Sequence, residues 1–141
     1  MKTGLKFINT KTIKEGTTTV VLMTATVDLT KIRAFSVIRQ IPMMEECLGL
    51  THDIYNEGQL LIKGEGKSRC HPDDLYDEKT GFYIAQTRAS LEIAKKYKKF
   101  LNSVLTIIEN YFMNDLYELN ATVTDMYYKL DDHLELDLNV K

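Results

Sequence analysis

Arg88 is the residue of this sequence with the clearest chemical promise. It stands between Ile84 and Leu91 on an otherwise apolar stripe, close to where a long helix should begin. A guanidinium so placed must be paired or reach solvent, because an unpaired buried charge is costly. Its partner would be Asp73 or Asp74 in a structural pair, or a ligand phosphate gripped at two points. Phe82 and Tyr83 precede it by one to two turns. An aromatic ring beside a cation at a helix N-terminus can hold a nucleotide. The ring stacks on the base, while N–H groups and the Arg meet phosphate. The plainer alternative makes Phe82 and Tyr83 core residues.

A second set of groups lies just upstream. If Gln59 to Cys70 is a strand, alternation puts Ile62, Gly64, Gly66, Ser68 and Cys70 on one face. Lys63, Glu65, Lys67 and Arg69 then share the other. A row of small residues lets a ligand or another backbone come close. Lys67 and Arg69 make the opposite face mostly cationic. The alternative is a solvated face with a helix packed on the glycines. Residues 61–100 carry nine Lys or Arg against six acids, a net +3, so the segment could receive a small anion.

Other chemistries fare worse. Gly66-Lys67-Ser68 resembles the end of a phosphate-binding loop, but the required upstream Gly is Leu61 and the chain runs on to Pro72 rather than into a helix. Asp73, Asp74, Asp77 and Glu78 are explained by turn-making and helix-capping, with Asp77 as N-cap. Cys47 and Cys70 form neither a disulfide framework nor a metal pattern and should be reduced and buried. His52, His71 and His133 are scattered. No catalytic set, metal site or cofactor is expected.

The elements that must position these groups follow from composition. The 141 residues suit one domain, with 1–71 mainly strands and 78–132 mainly helices. All seven Gly and both Pro lie at or before Gly81, so a turn-rich half precedes a helical half. The expected class is α+β, an N-terminal antiparallel β-sheet followed by two long C-terminal α-helices. Gly4 to Asn9 reads as a short strand and Thr17 to Val27 as a longer one. Asp28 to Ile41 leans to helix. Thr51 to Asn56 and Gln59 to Cys70 flank a Glu57-Gly58 turn, a hairpin signal. From Phe82 to about Leu130 the chain reads as long helix, with two adjacent apolar stripes from Ile84 to Phe112 at three- and four-residue steps and a fresh stripe from Leu116 to Leu130. One can cover the sheet, and the other needs a further helix or another subunit. Asn114-Asp115 reads as a break between two helices. His133 to Val140 alternates and reads as a last strand.

Charge and targeting narrow the classes. The net charge of −2 argues against broad nucleic-acid binding, and residues 101–141 alone carry −6. No stretch approaches membrane-spanning length and Met1 to Thr10 lacks an apolar core, so an intracellular protein is expected. On the same ground the Asn120-Ala121-Thr122 sequon is without meaning.

The run from Gly66 to Ala89 carries Pro72-Asp73-Asp74, an acidic turn, Gly81, then Ile84-Ala85 and Arg88-Ala89 on a helix. It resembles a segment of small bacteriophage proteins, above all the first-described Thoeris anti-defence sponges. The likeness covers about one fifth of the chain well. It implies a non-enzymatic phage protein in the host bacterial cytoplasm. Such a protein assembles through its helices into a homodimer or higher homo-oligomer and serves immune evasion. It sequesters, without cleaving it, a cyclic ADP-ribose isomer or a cyclic oligonucleotide signal. By that analogy Phe82 stacks on adenine, and Arg69 and Arg88 face phosphate. Lys67 and Tyr83 complete the expected ligand-binding set. The competing reading is a small phage nucleic-acid-binding or inhibitor protein that uses the basic strand and Lys95, Lys96, Lys98 and Lys99.

Overall fold

The computed structural model describes residues 2–71 and 77–139. Its class is α+β, an antiparallel sheet followed by long helix. The chain divides into two compact units, Met1–Phe100 and Leu101–Lys141.

In the first unit, β1 (Leu5–Glu15) and β2 (Thr18–Asp28) form a hairpin. Gly16, at φ 59, supplies the left-handed backbone that its two-residue turn requires. β1 is therefore longer than Gly4 to Asn9, carried on by its register with β2. A bulge between Phe7 and Asn9 shifts that register. After a 3₁₀ turn come two short helices, α1 (Arg33–Ile38) and α2 (Met44–Thr51). The hairpin of β3 (Tyr55–Asn56) and β4 (Gln59–Arg69) turns at Glu57-Gly58, both at positive φ. The sheet order is β1-β2-β4-β3, with every neighbour antiparallel.

Period-two burial runs along both central strands. Val21, Met23, Ala25 and Val27 of β2 are buried with Leu60 and Ile62 of β4. The helix α3 (Glu78–Ile108) covers this face through Ala85, Ala89, Ile93, Tyr97 and Phe100. Gly64 and Gly66 lie directly beneath it. A Cβ at Gly64 would stand 2.4 Å from the Ala89 carbonyl oxygen, and one at Gly66 would stand 1.8 Å from that of Ala85. The small-residue row is therefore filled by the helix backbone and leaves no room there for a ligand.

The far end of the core is aromatic. Phe100 packs between Phe35 (ring centroids 6.2 Å), Tyr55 (5.8 Å) and His52 (5.1 Å). The Tyr55 hydroxyl donates to Glu45 at 2.6 Å, and Arg39 pairs with the same carboxylate, tying α2 to the β3–β4 hairpin.

β4 has β3 beside it only at Leu60 and Gln59, so most of its outer edge lacks a strand. Side chains of α3 close that edge instead. Arg88 Nη1 donates to the Lys67 carbonyl at 2.6 Å and Lys96 Nζ to the Lys63 carbonyl at 2.6 Å. Between them, Glu92 accepts the Glu65 N–H at 3.1 Å. The spacing explains the fit. Four helical residues rise about 6 Å, and two strand residues about 6.8 Å, so one helix turn tracks one outward-facing strand position. The Glu65 N–H, and then Lys96, hold the Glu92 carboxyl below its ordinary range.

Acid tests this contact. The folded pKa of Glu92 is depressed, so its contribution is present above the ordinary value of 4.5 and lost as pH falls through the folded value. The protection factor of the Glu65 amide should drop over that interval in a native-state hydrogen-exchange series. The acid step should vanish in Glu92→Gln. If it persists there, Glu92 is not its source.

The second unit consists of helix. The end of α3 passes through a π-helical turn, Glu109–Met113, into α4 (Asn114–Asn139). Asn114-Asp115 does not break the helix. The Asn114 N–H donates to the Glu109 carbonyl, an i→i+5 bond that takes up one extra residue without ending the helix. The reason lies in the apolar spacing. Val104, Ile108, Phe112 and Leu116 are each four apart, and in a regular α-helix each such step drifts about 40° round the axis. The π-turn absorbs that drift. The final segment is likewise helix through Asn139, not a strand. Leu134 follows Leu130 by four and continues the helical stripe, and no Gly, Pro or β-branched residue lies between Leu130 and Asn139. Val140 lies outside the described residues.

Candidate functional site

The five residues expected to bind ligand fall in separate places. Phe82 is half-buried near the start of α3 and lines a depression of about 350 Å³ with Thr12, Lys14, Glu78 and Lys79. Tyr83, one residue on, is exposed. Arg88 lies on the flank of α3 that meets the β4 edge, where its guanidinium is engaged by the Lys67 carbonyl. That carbonyl is its partner here, rather than an acid. Asp73 and Asp74 lie outside the described residues. Lys67 and Arg69 point from the opposite face of the sheet, because their neighbour Ser68 is the residue turned inward toward α3. Within one chain, then, Lys67 and Arg88 meet through the strand backbone, and Phe82 meets neither.

The helix start is self-capped. Asp77 accepts the Lys79 N–H at 3.0 Å and the Thr80 hydroxyl at 2.8 Å. The Thr80 hydroxyl first, then the Lys79 N–H, holds the Asp77 carboxyl below its ordinary range. The expected N-cap is thus in place, and its carboxylate takes the first-turn donors that a phosphate would otherwise meet. What remains for a ligand beside Phe82 is cationic side chain. Lys14 reaches Glu78 at 3.2 Å, both of them largely exposed, and Lys79 lines the same hollow.

No protein family, curated protein or solved structure matches this chain.

Lys14 and Thr12 were not legible as site residues. They come from β1 and reach the helix start only through the hairpin register, which pairs Lys14 with Thr19 and Thr12 with Val21. The sole sequence hint was Thr19, a polar residue in an apolar alternation, which is fully buried.

The sheet face away from α3 forms a second polar region. Register places Lys6, Lys11, Lys63, Lys67 and Arg69 there, with Glu15, Asp28 and Glu65 as the acids. Half-buried Val20 and Leu22 lie between them on β2. A shallow hollow of about 370 Å³, lined in part by Lys11, Leu22 and Lys63, opens nearby. Lys67 pairs with Glu65 at 3.5 Å, an exposed contact worth little.

Among the described residues, no three His, Cys, Asp or Glu side chains gather as a metal site. Cys47 is exposed and Cys70 half-buried, which corrects the expectation of two buried cysteines. No helix among the described residues is long and apolar enough to cross a membrane.

Proposed function

We propose that this chain is a non-enzymatic phage anti-defence protein of the Thoeris sponge kind. It binds and sequesters, without cleaving it, a cyclic nucleotide immune signal, a cyclic ADP-ribose isomer or a cyclic oligonucleotide, in the host bacterial cytoplasm. The observation that supports this most is the hollow at the start of α3. There Phe82 offers a ring face beside Lys14 and Lys79. Ring and ammonium groups are the two complements a nucleotide needs, a base to stack and a phosphate to neutralise. The volume is at the lower end of ligand sites, enough for one base and its ribose. The remainder of a cyclic dinucleotide would need a surface from a second copy. Self-association through the C-terminal helix belongs to the same reading, because the apolar residues of α4 from Leu116 to Leu136 are exposed along its length.

Arg88 enters this reading differently from Phe82. To meet a phosphate it would have to leave the Lys67 carbonyl, so its loss should weaken binding less than the loss of Phe82.

Recovery of ligand tests the proposal. The protein is incubated with cyclic ADP-ribose isomers and cyclic oligonucleotides, separated from free ligand, and heat-denatured. Intact ligand in the supernatant supports a sponge. Consumed ligand means an enzyme, and no uptake ends both readings. Phe82→Ala should weaken binding roughly tenfold or more, the scale of losing one base-stacking contact. Unchanged affinity in a folded variant would remove the hollow from the site.

A second reading has its own observation, the five cations on the outer sheet face. If that face takes nucleic acid, retention on DNA or RNA should fall steeply with salt. Lys67→Glu should abolish that retention and leave nucleotide uptake intact.

A further inference from the structure

The second unit leaves one surface without a partner, and its residues say what kind of partner fits. Phe112, Leu116, Leu119, Val123, Met126 and Leu130 follow one another at steps of four, three, four, three and four. Each is at least 40 % exposed. A strict four–three alternation is the seam of a coiled coil, with Leu116, Val123 and Leu130 at one core position and Phe112, Leu119 and Met126 at the other. A lone helix cannot bury such a seam, and a second copy carries the matching one.

Charge selects the direction. Beside the seam, Asp115, Thr122 and Lys129 recur every seven residues on one flank, and Met113, Asn120 and Tyr127 on the other. In a parallel pair each flank faces the opposite flank of its neighbour. Asp115 then meets Asn120, and Lys129 meets Leu134, so neither charge finds a partner in the other copy, and Lys129 keeps only the exposed pair with Asp125 of its own helix at 2.9 Å. A parallel pair also gathers Asp131, Asp132 and Glu135 of both copies at one end, on outward positions. In an antiparallel pair centred at the level of Ala121, each flank faces itself in reverse. Phe112 then lies over Leu130, Leu116 over Met126, and Leu119 over Val123, an apolar layer at every step. Asp115 meets Lys129 of the second copy at both ends. The acidic tip lies opposite residues 107–111, where Glu109 is the sole charged residue.

We propose that two copies of this chain pair through α4 as an antiparallel coiled coil, with Asp115 of each copy against Lys129 of the other. The proposal deepens the self-association described above and rests on it.

Two measurements on the full chain test it. A spin label at Glu135→Cys, in a Cys47→Ser, Cys70→Ser background, reads direction. The labels should lie about 45 Å apart in the antiparallel pair, from 14 residues of rise on each side of the centre, and roughly 20 Å apart in a parallel one. Sedimentation then reads register. Asp115→Lys and Lys129→Asp should each weaken self-association roughly tenfold, because two ion pairs become two like-charge contacts. An equimolar mixture of the two variants should restore it, since both ion pairs re-form in the mixed pair. A long distance together with rescue supports the proposal. A short distance overturns the direction and leaves self-association standing. A long distance without rescue overturns the register. A chain that stays monomeric at every concentration overturns both the pairing and the self-association beneath it. None of these results alters what ligand recovery shows.

Discussion

Phe100→Ala is expected to destabilise the sheet unit by about 4 kcal/mol, the largest loss of any single truncation among the described residues. Among the described residues Phe100 is the largest of the fully buried side chains, at 1 % exposure. Three rings meet it, from α1, the segment after α2 and β3. Beyond it those elements are joined by the Glu45 carboxylate, which Arg39 and Tyr55 share, while α1 and α2 are short and β3 has two residues. Removing the ring leaves a cavity that three differently anchored neighbours cannot close together, which is where truncation costs most. A unit of this size should then melt roughly 20 °C lower. Near-ultraviolet circular dichroism through a thermal ramp reads this directly, because Phe35 and Tyr55 lose their fixed neighbour. Phe112→Ala is the control. Phe112 is 40 % exposed in the second unit, so the same ramp should leave the sheet transition in place. A loss below about 1 kcal/mol in Phe100→Ala would mean that the aromatic end repacks freely.

Gly66→Ala is expected to be nearly as damaging, about 3 kcal/mol, for the opposite reason. One methyl group is added where none fits. Its Cβ would stand 1.8 Å from the Ala85 carbonyl oxygen and 2.5 Å from the Ala89 nitrogen. Both are helix backbone, so no side chain can rotate out of the way. The helix must lift, and lifting it opens the layer between Ala85, Ala89, Gly64 and Gly66 together. Gly49→Ala supplies the contrast. Gly49 lies within α2 and nothing stands within 4 Å of its added Cβ, so Ala there should gain about 0.5–1 kcal/mol from helix propensity. Chemical denaturation of both variants checks the pair. A Gly66→Ala protein as stable as the parent would show that α3 is not seated on β4.

The glycine row also shows how far the sequence carries. Alternation in β4 placed Gly64 and Gly66 on one face, but the row left two occupants open, a ligand or a helix. Ala85 and Ala89 decide between them. They lie one helix turn apart and face two glycines one strand repeat apart, and small against small allows backbone contact. The pairing of the two rows depends on where the helix lands, and no spacing within either segment states that. α2 was not foreseen because Pro42 and Gly49 punctuate its sequence as a loop would, yet Met44 and Leu48 bury a turn of helix there. His133 to Val140 misled by keeping both periods at once. Leu134 and Leu136 alternate as in a strand, and Leu130 and Leu134 repeat as in a helix.

The candidate site was less legible than the fold. Phe82 was visible as an aromatic at a helix start. The lysine that β1 lends it was not, because only a hairpin register across residues 5–28 brings Lys14 there. Arg88 was visible as a cation that needed a partner. That its partner is a main-chain carbonyl follows from the unpaired edge of β4, a property of sheet order rather than of any residue's type.

That closed edge governs how the protein can be stored at high concentration. An open strand edge is a template, and a sheet with two such edges can add copies at both sides without limit. Here Arg88, Glu92 and Lys96 occupy one side, so a strand from another chain would have to displace a guanidinium, a carboxylate and an ammonium before it could pair. The other side, β1, carries Lys6, Lys11 and Lys14 and is kinked by its bulge. A sheet obstructed on one side and charged and bent on the other is a poor seed for fibres. If the protein acts by stoichiometry, as proposed above, it must accumulate to the level of its target, and resistance to strand-by-strand growth then sets the ceiling on dose.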